Sequence, residues 1–96
     1  MTKGSNNIFR DLGFPEGEAQ ILLLRTDMMV KIERLVKTSK LTQSQVAKML
    51  GITQPRLNDL LKGRIEKFSL DALVSMLARA GMEVKMSVKK ATHQPA

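Results

Sequence analysis

The sequence predicts an all-α domain of four to five helices that ends in a short β-strand. Three observations carry that prediction: apolar residues recur at steps of three and four from Ile21 to Val36, capping residues and glycines punctuate residues 41–81 at helix-length intervals, and residues 82–89 switch to strict alternation. Ninety-six residues leave room for one core. Phe9, Phe14 and Phe68 are the sole Phe, Tyr or Trp residues, so the core is built from Leu, Ile, Val and Met. Stacking platforms for single-stranded RNA, which need exposed aromatics, are disfavoured.

Residues 1–7 are polar and read as a disordered leader. Ile8, Phe9, Leu12 and Phe14 precede Pro15, which predicts a short turn whose Phe9, Leu12 and Phe14 dock on the body. Pro15 opens a long helix, with Glu16 and Glu18 at the positive end of its dipole. Ile21, Leu24, Met28, Ile32, Leu35 and Val36 form its buried face, and Leu22, Leu23 and Met29 widen it. The stripe exceeds what one small core requires, so part of it is expected to bury against a second chain. Thr42 is an N-cap, and Gln45 three residues on completes a capping box for a helix over 43–50 that Gly51 ends. Thr53 caps the next helix, 54–62, with Pro55 in its first turn and Gly63 at its end. A basic, irregular stretch, Arg64 to Phe68, leads to Ser69 as the cap of a last helix that Gly81 stops. Residues 82–89 place Met82, Val84, Met86 and Val88 on one face of a strand. No partner strand exists elsewhere in the chain, so pairing with the same strand of a second copy is expected. The domain boundaries are therefore a leader to residue 7, the helical domain over 8–81, a dimerisation strand over 82–89 and a disordered tail over 90–96.

Composition narrows function before any motif does. There is no cysteine, and the single histidine, His93, is the fourth residue from the C-terminus. Disulfides, thiolate metal sites, thiol nucleophiles and histidine-based triads are excluded, and the nine carboxylates form no recognisable catalytic pair. The reading is of a non-enzyme without metal or cofactor. No apolar run approaches the ~20 residues of a membrane span, and the N-terminus is too polar for a signal peptide, so a cytoplasmic protein is expected. Sixteen Lys and Arg against nine Asp and Glu give a net charge of +7, densest over residues 41–67, which favours a polyanionic partner.

Residues 41–63 carry the sharpest signal: LTQSQVAKMLGITQPRLNDLLKG. Two helices that cross steeply need a small residue at the crossing, a glycine at the turn, an apolar residue after it and apolar residues locking the second helix. Ala47, Gly51, Ile52, Leu57 and Leu60 supply them. With Leu57, Leu60 and Leu61 facing the core, the opposite arc of the second helix holds Pro55, Asp59 and Lys62, with Arg56 and Asn58 at its edges. That arc suits a major groove: Arg56 can pair with guanine or grip a phosphate, Asn58 can read adenine, and Asp59 can accept from cytosine.

This segment resembles the DNA-binding domain of the Cro- and repressor-type (XRE) helix-turn-helix regulators over about residues 26–80. The residues that carry the resemblance are Leu41-Thr42-Gln43, Ala47, Leu50-Gly51-Ile52 and Leu57 to Gly63. The flanks, residues 9–15 and 68–81, resemble small HigA-type antitoxins. The resemblance implies a lambda-repressor-like bundle and a homodimer that represses transcription on a palindromic operator in double-stranded DNA. It also implies a cognate toxin as partner, and autoregulation of the operon; the alternative is a module that neutralises a partner protein with little DNA-binding role. It places Gln43 on a phosphate, Gln54 on a base or the backbone, and Thr53, Lys62, Arg64, Lys67 and Ser69 at backbone contacts. Pro55 stands where a polar residue is frequent, which points instead to contact with a thymine methyl. Lys48 is a weaker candidate.

Overall fold

The computed structural model describes residues 7–90 and folds as six short-connected elements. They are α1 (Ile8–Asp11), α2 (Glu16–Thr38), α3 (Gln43–Leu50), α4 (Gln54–Leu61), a 3-10 turn (Ile65–Lys67) and α5 (Leu70–Arg79). No strand forms among the described residues.

Local chemistry explains each boundary. Thr42 Oγ1 accepts from the Gln45 N–H at 3.1 Å while Gln45 Oε1 accepts from the Thr42 N–H at 2.9 Å, so the expected capping box starts α3. Thr53 and Ser69 cap α4 and α5 in the same sense, accepting from the Arg56 and Ala72 N–H groups. The ends also share one pattern. At α3, Ile52 N–H reaches Ala47 C=O at 3.0 Å and Gly51 N–H reaches Lys48 C=O at 3.1 Å, the two bonds of a Schellman motif. Equivalent pairs close α1, α4 and α5 at Gly13, Gly63 and Gly81.

The core is a single cluster. Met29 and Ile32 of α2 meet Val46, Ala47 and Leu50 of α3, Leu57 and Leu60 of α4, and Leu73, Met76 and Leu77 of α5, with Phe68 fully enclosed between them. The cluster uses α2 only from Met28 onward. Before that point α2 is covered by α1: Asn7 Nδ2 donates to the Ala19 C=O at 3.0 Å, and the Arg10 guanidinium grips Glu16 with two bonds of 2.8 and 3.0 Å.

Four expectations change here. Asn7, the last residue of the expected leader, is 4% exposed and caps α1, its Oδ1 accepting from the Phe9 and Arg10 N–H groups; residues 1–6 lie outside the description, as do residues 91–96 of the expected tail. Leu12 does not dock; it is 68% exposed, while Phe9 meets Phe14 edge-on at 6.1 Å. Ile21 is 46% exposed and Leu24 only half-buried, because α1 covers this half of α2 only in part and the core begins at Met28. Finally, the C-terminal strand over 82–89 is not formed. Val84 packs on the core, but Met82, Met86 and Val88 are exposed, and an extended segment with no ladder partner has nothing to bond to.

Charge follows the same division as packing. Residues 8–27, the α1 hairpin and the start of α2, carry four acidic and two basic side chains, whereas residues 28–90 carry thirteen basic and five acidic ones. No helix among the described residues is long and apolar enough to cross a membrane.

Candidate nucleic-acid interface

The α3–turn–α4 unit presents one face with no role in the core. Leu57 and Leu60 anchor α4 inward, which turns Gln54, Pro55 and Asn58 outward, all of them exposed. Gln43, at the first position of α3, comes alongside, and the four residues line a single open depression. Residues eleven or more apart in sequence are thus brought to one surface by the steep turn at Gly51. None of the four spends its side chain on a hydrogen bond within the described protein. The N-terminus of α4 adds positive potential beside them. Pro55 sits in the first turn, where its missing N–H leaves no bond unmade.

The other flank of α4 is engaged. The Arg56 guanidinium lies 4.5 Å from the centroid of the Phe68 ring and donates to the Lys67 C=O at 3.1 Å. Asp59 pairs with Arg64 at 3.5 Å and approaches Lys67 at 4.0 Å. The 3-10 turn is what makes these contacts, since it carries Lys67 and Phe68 back against α4. Both Arg56 and Asp59, expected at base edges, are in the free protein turned toward this turn. Arg64 and Lys67 remain nearly half-exposed at the surface despite their pairing with Asp59.

Three expected backbone contacts sit at helix ends. Thr53 uses its oxygen as a cap acceptor and keeps its hydroxyl proton for a donor role. Ser69 is more committed: its hydroxyl holds the Asp71 carboxyl below the usual range while its oxygen caps α5. Lys62 ends α4, exposed, with no ion-pair partner among the described residues. Lys48 is exposed on α3.

Two residues with a structural hand in this surface escaped the sequence reading. Arg79 of α5 lies against Gly51, so close that a Cβ there would run into its guanidinium. Phe68 is the platform for Arg56, and only its aromatic character hinted at that role. Among the described residues no group of three His, Asp or Glu side chains is placed to hold a metal.

Comparison with known proteins agrees with this geometry. A family described as a helix-turn-helix domain matches residues 8–89. A solved chain provisionally assigned as an XRE-family transcriptional regulator superposes with a TM-score of 0.71 at 23% identity, covering 82% of this chain and 89% of its own. At that identity the likeness is one of fold. No curated protein shows significant similarity to the chain.

Proposed function

Because the chain belongs to the helix-turn-helix domain family, matched over residues 8–89, we propose that it binds double-stranded DNA sequence-specifically as a homodimeric transcriptional repressor. The observation that carries this reading is the exposed flank of α4, Gln54, Pro55 and Asn58, alongside Gln43: amide-rich, uncommitted, and set in the part of the chain where basic side chains outnumber acidic ones thirteen to five. In the proposed complex α4 enters the major groove. Gln43 and Thr53 bind phosphates on one side, and Lys62, Arg64 and Lys67 bind them on the other. A two-fold dimer joined by residues 82–89 presents two such helices to half-sites about one helical turn apart on a palindromic operator.

A second reading rests on a different surface. Ile8, Leu12, Phe14 and Ile21 are 59, 68, 41 and 46% exposed, a concentration of apolar side chains on α1 and the start of α2 that suits a protein partner. An autoregulating antitoxin that also binds its toxin would use both surfaces.

The test is fluorescence anisotropy with DNA from upstream of the protein's own gene and a scrambled control, at two salt concentrations. Specific binding that persists at the higher salt is expected, and Gln43→Ala should weaken binding to both DNAs alike. Equal, weak binding that collapses with salt would reduce the interaction to bulk charge and bring the protein-partner reading forward.

A further inference from the structure

Resting on that DNA-binding reading, we infer that α4 reads adenine–thymine pairs through Gln54, Asn58 and Pro55, and that Arg56 is a positioning residue which does not read a base. The outward surface of α4 is split lengthwise. On one flank, Arg56 and Asp59 are tied to the segment from Arg64 to Phe68 by four contacts of 3.1 to 4.5 Å. Withdrawing Arg56 toward a guanine would take it off the Phe68 ring, which is fully enclosed with Arg56 in place, and exchange its bond to the Lys67 C=O for one to water. Asp59 lies on this same flank, turned toward Arg64 at 3.5 Å and Lys67 at 4.0 Å.

What remains for the groove is the neutral flank. Gln54 and Asn58 each offer an NH2 donor group beside a carbonyl acceptor, the complement of the N7 acceptor and N6 donor of adenine. Guanine presents two acceptors on that edge and leaves the amide oxygen without a partner. The Pro55 ring between them is apolar and fits the thymine methyl, a group that cytosine lacks. Arg56 instead fixes the pitch of α4: by bonding Lys67 it holds the 3-10 turn against the helix and sets where Arg64 and Lys67 meet the phosphates.

The experiment is selection of duplexes from a randomised pool by the full-length protein and by Asn58→Ala, Gln54→Ala and Arg56→Met, the last retaining an apolar cover over Phe68. The wild type is expected to enrich half-sites with adenine–thymine pairs at the core. Asn58→Ala or Gln54→Ala should lower the preference for adenine at one pair by about fivefold or more, and Arg56→Met should enrich the same core. A guanine–cytosine core whose preference disappears in Arg56→Met overturns the proposal while leaving DNA recognition intact, as does an adenine–thymine core indifferent to both amide variants. Failure of the wild type to enrich any sequence overturns the DNA-binding reading itself.

Discussion

Gly51 takes φ +78°, and the space a Cβ would need is filled by Arg79. The atoms a Cβ would meet are the end of an exposed, flexible side chain that can swing aside, so the backbone sets the cost. A left-handed alanine costs roughly 1–2 kcal/mol. Gly51→Ala is expected to lower the unfolding free energy in urea by about that much, and by nearly the same amount on an Arg79→Ala background; a clearly smaller loss there would show that Arg79 resists displacement. Arg56 and Phe68, by contrast, are coupled. A double-mutant cycle between them should return about 0.5–1 kcal/mol, the worth of a guanidinium over a ring near the surface, and a coupling of zero would detach Arg56 from the positioning role argued above.

At the level of elements, the helices that build the interface were legible because their signals are local. Thr42 with Gln45, Thr53, Ser69 and the glycines at 51, 63 and 81 lie within four residues of the bonds they make, and the structure returns those boundaries within a residue or two. Thr42→Ala should cost about 1 kcal/mol, read by thermal denaturation. No change would mean that Gln45 holds the cap alone. What the sequence did not show depends on distant chain. The burial of Asn7 rests on its Nδ2 bond to Ala19, twelve residues away, although its cap of α1 is itself local, reaching Phe9 and Arg10. The 3-10 turn Ile65–Lys67 is too short to leave a periodic pattern, yet its path decides that Arg56 meets a carbonyl eleven residues later. Periodicity gave the part of the α2 face that joins the core, Met28, Ile32, Leu35 and Val36, but carried no information on how far along the helix that face is covered. For the same reason the alternating residues 82–89 read as a strand: alternation describes two faces, and a ladder needs a second strand, which none of the described residues supplies.

For the molecule as a whole, that C-terminal segment is the place to test assembly. Met82, Met86 and Val88 are 47, 62 and 91% exposed, and burying them against a second copy would remove apolar surface and pair the open backbone together. A chain ending at Gly81 is expected to sediment as a monomer and to bind operator DNA far more weakly than the intact protein. A truncated protein that still dimerises would move the interface to the helices, where Ile21 and its neighbours are the next exposed stripe. The division of charge has a kinetic counterpart. A polyanion repels the hairpin end, where acidic side chains outnumber basic ones, and attracts the remainder, so its field exerts a torque on the tumbling molecule before contact. Collisions are pre-aligned with the hairpin trailing, and added salt, which shortens the reach of that torque, should slow association more than it hastens release.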